Sequence, residues 1–340
     1  MLPLTLYALF LQSTITLPSN SDAKLSLKVY PLLENSRICP KYRWEYPFKI
    51  EAHADKLTGE QTLRFRIYTQ SNESLETSIS ISRVLLHLWE LANSKLSLEH
   101  PLRFRRTIDV FLASGGKSGA EQGIFFGPDE NGFDSTQLAI YIYDIKNLSN
   151  SIETLREIAH EYGHAILPPI GTYKEPEPWS NGYLGEKLFL MMLLEALEKK
   201  NIRTEDLLNA NQRELEEWVK KNAFPLANKI WRNGIEEKEL SNSMDSLIGF
   251  ALYTHEAFPR ALSRGLRITG GAKPGDLYRA IRNAIEERTR WEIEIPSRLA
   301  NNRIWLFLDK HWKIEGAKVI TRNKNGMLVE CKGKKIIAKK

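Results

Sequence analysis

The sequence predicts an α+β fold: a mixed β-sheet with an embedded helix that carries the chemistry, then a mainly helical subdomain and short C-terminal strands. Three observations carry this reading. Segments rich in β-formers gather before residue 143, apolar residues at helical spacing dominate from residue 151 to 288, and β-formers return from Trp291. The boundaries that follow are a leader at 1–23, a β-rich region with one helix at 24–104, a core at 105–200, a helical subdomain at 201–290 and a β segment at 291–340. A hydrophobic content of 42% with 26% charged residues excludes a disordered chain and allows a substantial core.

Met1 to Leu11 is almost wholly apolar, and small residues Ser21-Asp22-Ala23 precede Lys24, the form of an export signal cut near Ala23. The run has no Lys or Arg before it and is interrupted by Pro3, so an N-terminal strand or a lipid-facing anchor is the alternative. It is too short to span a bilayer, and no integral membrane span is expected. The net charge of +6 comes largely from a late cluster, Lys332, Lys334, Lys335, Lys339 and Lys340, read as a solvated tail with no nucleic-acid partner. Cys39 and Cys331 either bridge in an oxidising compartment or stand as separate buried thiols.

Strands are expected at 25–30, 47–53 and 61–68, the last two joined as a hairpin by Leu57-Thr58-Gly59-Glu60. A helix over 77–94 follows from Ile81, Val84, Leu85, Leu88 and Leu91, and its His87 reads as a packed or surface residue instead of a ligand. Further strands are expected at 107–113, 123–127 and 137–143. Ser114-Gly115-Gly116-Lys117-Ser118 is not a phosphate loop: Phe111 stands where the first glycine would be. Residues 182–200 are apolar on nearly every side and read as a buried helix. Helices are expected at 203–221, 244–266 and 274–288, with 222–235 helical in part; strands are expected at 303–308, 318–321 and 327–331, the last two joined through Lys324-Asn325-Gly326.

The chemistry gathers at His160-Glu161-Tyr162-Gly163-His164. Leu155, Ile158, Ala159, Tyr162 and Ile166 give the segment one apolar face, Asn150 with Glu153 has the form of an N-terminal cap, and Pro168-Pro169 ends it. Residues four apart lie one turn apart on one helix face, so both imidazoles can reach one ion, and neutral imidazoles suit Zn²⁺. Glu161, beside them, is placed to accept a proton from water. A catalytic zinc takes three protein ligands. The only later histidines are His255 and His311, so the third is expected to be a carboxylate. Glu186, entering an apolar helix, is the best placed; its alternative role is to interact with the helix N-terminus. Glu175 and Glu177, in a Pro-rich loop, are weaker candidates, and Glu195 faces the other way.

This pattern, His160-Glu161-x-x-His164 followed on a second helix by Glu186, resembles the gluzincin group of zincin metallopeptidases over roughly residues 105–200. The resemblance implies a zincin-like fold, zinc held by His160, His164 and Glu186, Glu161 as general base, and a sheet edge strand beside the active-site helix that holds a peptide or protein substrate. The metzincin pattern is excluded, since Leu167 and Ile170 occupy its Gly and third His positions. Trp179-Ser180-Asn181-Gly182 lacks the Glu that many members carry between Asn and Gly. The substrate strand is expected at 137–143 or 123–127, and the oxyanion donor at Tyr253 or His255, with Tyr173 a third candidate. The expected activity is zinc-dependent peptide hydrolysis by an exported enzyme. The alternative is a non-catalytic envelope protein that keeps the scaffold.

Overall fold

Period-two patterning builds the principal sheet. The computed structural model describes residues 12–19, 21–30, 32–55, 62–148, 151–268, 273–323 and 326–340. The apolar run of Met1 to Leu11, the Leu57 to Glu60 turn, the Asn150 cap and the Lys324-Asn325 turn lie outside these residues. The chain divides into two units, one of Met1–Ser94, Glu99–Ile166 and Phe189–Glu216, the other of Lys95–Leu98, Leu167–Leu188 and Glu217–Lys340.

In the first unit the chain forms β1 (Ser13–Leu17), β2 (Lys24–Val29), β3 (Arg37–Ile38), β4 (Glu45–Tyr46), β5 (Phe48–Asp55) and β6 (Leu63–Thr69). Helix α1 (Leu75–Leu96), β7 (Ile108–Leu112), β8 (Gly119–Pro128), β9 (Asp134–Tyr143) and α2 (Ser151–Ile166) follow. Seven strands make one mixed sheet in the order β1-β2-β5-β6-β7-β9-β8, with β6·β7 and β7·β9 parallel and the other pairs antiparallel. The antiparallel β5·β6 pair agrees with the expected hairpin. Strand β1, inside the stretch read as a leader, pairs with β2 along all five of its residues.

The two faces of the sheet differ. On one, Phe65 of β6 packs on Tyr162 of α2, with ring centroids 5.9 Å apart. On the other, Tyr68, Phe111 and Tyr141 stack at 5.4 and 5.0 Å, covered by Cys39 and Tyr46 of the short β3·β4 ribbon. Beside these rings a buried Asp109 joins Arg66 at 2.8 Å and Arg37 at 3.3 Å. The two-residue strands of the ribbon are too short to show a period and were not expected.

Helix α3 (Asn181–Glu198) is buried on nearly every side, as its composition predicts. The expected helix at 203–221 is instead a turn of 3₁₀ helix at Thr204–Asp206 and α4 (Gln212–Asn222). Leu208 and Asn209 take positive φ, and the Asn211 side chain accepts the Arg213 N–H, starting α4 afresh. The second unit continues with α5 (Phe224–Asn233), α6 (Glu237–Asn242), α7 (Met244–Ala257), α8 (Pro259–Ile268) and α9 (Pro274–Glu286). The single helix expected over 244–266 breaks at Phe258, which leaves the α region because Pro259 follows; Pro259 then opens α8.

Six strands complete this unit: β10 (Arg290–Glu294), β11 (Arg303–Leu306), β12 (Lys313–Glu315), β13 (Ala317–Asn323), β14 (Gly326–Cys331) and β15 (Lys335–Lys339). They form two three-stranded sheets, β10-β15-β12 and β11-β14-β13. The basic tail is therefore not simply solvated: β15 is a central strand that buries Ile336 and Ala338 and turns its lysines outward. Cys39 and Cys331 are separate buried thiols. No helix among the described residues is long and apolar enough to cross a membrane.

Gly234 closes α5 at φ 67° and ψ −168°, a region that essentially only glycine enters, and an added Cβ would lie 2.4 Å from the Trp305 ring. Gly234→Ala is expected to destabilise the protein by about 2–4 kcal/mol, read as a lower urea midpoint.

Candidate metal site

Helix α2 is built to bury one side and present the other. Leu155, Ile158, Ala159 and Tyr162 are fully buried and Ile166 nearly so, as the spacing predicts. The helix stops at Ile166, two residues before Pro168, which has no N–H to continue it. His160 and His164 then fall one turn apart on the half-buried side.

Their Nε2 atoms lie 3.1 Å apart, with the rings tilted 75° to each other. Two nitrogens bound tetrahedrally to one zinc at about 2.0–2.1 Å stand roughly 3.3 Å apart, so the pair fits a shared ion with little adjustment. One neutral imidazole donating to the other gives the same separation without metal. Glu161, between them in sequence, is 8% exposed. A carboxylate held this far from water needs compensation by charge or hydrogen bonds.

A contact that sequence reading missed holds α2 in place. His100 is buried, its Nδ1 3.2 Å from the Arg106 carbonyl and its Nε2 3.1 Å from the Tyr162 hydroxyl. A carbonyl only accepts, so Nδ1 carries the proton and Nε2 accepts from Tyr162. Burial pushes His100 down to about 4, which keeps the ring neutral and able to accept. Burial first, and then Glu99, hold the Tyr162 hydroxyl well above its usual range, so it stays a donor. Tyr162 directly follows Glu161, and its ring also packs on Phe65 and Phe189. The two partners are 62 positions apart and share no local motif, so only the fold reveals them.

The remaining candidates belong to the second unit. Glu186, in the first turns of α3, is buried with its carboxylate 2.6 Å from Lys187 Nζ. Glu177 is half-buried in the loop before α3. Tyr253 of α7 is fully buried among Trp231, Phe250, Phe258 and Phe307, and its hydroxyl accepts the Phe307 N–H at 3.0 Å. Tyr173 donates to the Leu240 carbonyl at 2.8 Å. Both hydroxyls are thus hydrogen-bonded inside their own unit. His255, two residues after Tyr253 on α7, is also buried.

Of the two expected substrate strands, the one at 137–143 is corrected: β9 is paired on both sides, to β7 and β8. Strand β8, which contains 123–127, is the sheet's outer strand and lies against α2. Its Ile124 and Phe126 are exposed, at 50% and 69%.

His100 also sets a pH dependence. Its folded pKa is depressed from 6.5 to about 4, so between those values the unfolded chain takes up a proton that the folded chain does not. Stability is therefore expected to fall by up to about 3 kcal/mol as pH drops through this window. Urea denaturation at pH 7 and pH 4.5 measures the drop, which should be smaller in His100→Gln.

No family model matches this chain, and no curated protein matches it.

Proposed function

We propose that this chain is a zinc-dependent hydrolase of zincin type that cleaves peptide bonds. The observation that carries the reading is the convergence of the His160 and His164 Nε2 atoms at 3.1 Å on the helix that also bears Glu161. For the third ligand we take Glu177 in place of Glu186. Glu186 has the Lys187 ammonium against it, while Glu177 is half-buried in the loop before α3. Two imidazoles and one carboxylate are the donor set of several catalytic zinc sites.

Zinc held there would supply a Lewis acid, bringing the pKa of water toward neutrality and polarising a carbonyl oxygen. Glu161 accepts the proton from the attacking water and passes it to the leaving amine. Tyr162, fixed by His100, keeps the α2 backbone around Glu161 in register with the sheet. Among the described residues β8 has no strand on its outer side, and it lies beside α2, where an extended peptide adds as a further strand. Ile124 and Phe126 present apolar side chains to it.

Metal analysis of the purified protein, with hydrolysis of a mixed peptide library, tests the assignment. We expect about one zinc per chain, lost in His160→Ala, strongly weakened in Glu177→Ala, and kept in Glu186→Ala and Glu161→Gln. Glu161→Gln should lower hydrolysis about 10²–10⁴-fold while keeping its metal. Zinc lost from Glu186→Ala but kept by Glu177→Ala would return the third place to Glu186. A folded wild type that takes up no zinc sinks the hydrolase reading, and full zinc without cleavage favours a non-catalytic scaffold.

A further inference from the structure

The positive charge of the chain is concentrated in its last strands. Residues 290–340, from β10 onward, hold thirteen Lys and Arg against five Asp and Glu, a balance of +8, while the whole chain carries +6. The rest of the chain is therefore slightly acidic.

Folding sets these cations out on strands. In the sheet β10-β15-β12, Arg290 stands directly across the ladder from Lys339, and Lys339 stands across from Lys313 on its other side. The next row turns inward, with Trp291 and Ala338 buried, so three cations form one outward row across the sheet. Neighbouring strands are about 4.8 Å apart, and like charges directly opposite each other destabilise a sheet. Arg290 and Lys339 are each relieved by a carboxylate, Glu292 at 3.0 Å and Glu315 at 2.6 Å. Lys313 is exposed and, among the described residues, is not ion-paired.

Five further cations are exposed without an ion pair among the described residues: Lys310 before β12, Arg303 on β11, Lys318 on β13, and Lys332 and Lys334 between β14 and β15. Arg303 and Lys318 both stand across from Glu330, so that row carries two cations to one carboxylate. Glu292 and Glu315 are taken by Arg290, Lys335 and Lys339. Against the six unpaired cations this leaves the carboxylates of Glu294, Asp309 and Glu330, and the uncompensated charge is positive.

A surface of this kind suits a polyanion, and its composition narrows the choice. Among the described residues, 290–340 leave no large hydrophobic side chain exposed. The strands therefore offer no Trp, Tyr or Phe ring on which unpaired bases stack, and no apolar side chain to sink into a lipid surface. Cations held on a rigid sheet fit instead the regular array of phosphates that base pairing fixes along a duplex.

We propose that the C-terminal strands bind the phosphate backbone of duplex nucleic acid, without reading its sequence, through Arg303, Lys310, Lys313, Lys318, Lys332 and Lys334. This revises the reading of the late lysines as a cluster with no nucleic-acid partner. None of these residues takes part in the proposed hydrolase chemistry.

Fluorescence anisotropy of the full chain with a labelled DNA duplex of about 20 base pairs tests it. A Kd of about 10 µM or tighter is expected at about 50 mM NaCl, weakening about tenfold or more at about 200 mM, as counterion release requires. The labelled single strand should bind more weakly, and vesicles of phosphatidylcholine with phosphatidylglycerol should sediment little of the protein. Lys310→Glu combined with Lys313→Glu should weaken duplex binding about fivefold or more. Lys24→Glu combined with Lys117→Glu makes the same change in net charge on exposed residues of the first unit and should leave binding within about twofold of wild type. Because Lys313→Glu sets a carboxylate opposite Lys339, the first double variant should melt no lower than wild type, which separates lost binding from lost folding. Absence of saturable duplex binding, binding indifferent to salt, tighter binding to the single strand, strong sedimentation with vesicles, or equal weakening by both double variants would overturn the proposal.

Discussion

The candidate metal site depends on one constraint: α2 must bury an apolar stripe against the sheet while turning two imidazoles and a carboxylate the other way. The stripe fixes which residues face inward, but apolar packing alone lets a helix slide or roll by a fraction of a turn. The Tyr162 hydroxyl bonded to His100 removes that freedom, because a buried donor and acceptor lose each other if the helix shifts. His100 is held in turn by the Arg106 carbonyl. A direct chain of hydrogen bonds thus runs from the loop before β7 to the residue next to Glu161.

A second anchor works on the opposite face. Asp109 sits between two guanidiniums, and Arg37 carries the ribbon with it. Removing one member would leave buried charge uncompensated, which typically costs about 3–5 kcal/mol.

Much of the fold was legible in the sequence wherever a period ran long enough to be unambiguous. The stripe of Leu155, Ile158, Ala159 and Tyr162, the apolar run of α3 and the alternation in β6 each correspond to an observed element. Prolines marked the end of α2, yet Pro259 inside an otherwise helical pattern was read through, although the residue before a proline is pushed out of the helical region. Strand β15 was hidden because its two inward residues stand among lysines, so composition spoke louder than alternation. In the candidate site, the proximity of His160 and His164 was readable because residues four apart on a helix share a face. His100 was not, since its role arises only when β7 and α2 come together, and the third carboxylate was ambiguous because spacing along the chain does not say which of several acidic side chains turns toward a given point.

The placement of β15 also bears on how the second unit assembles. Strand β10 at Arg290–Glu294 and strand β12 at Lys313–Glu315 do not pair with each other; each pairs with Lys335–Lys339. During synthesis both must therefore wait with open edges until β15 leaves the ribosome, and β15 enters between them as a keystone. The small sheet is completed by the last-made of its three strands, so it forms only once residues 335–339 have been synthesised.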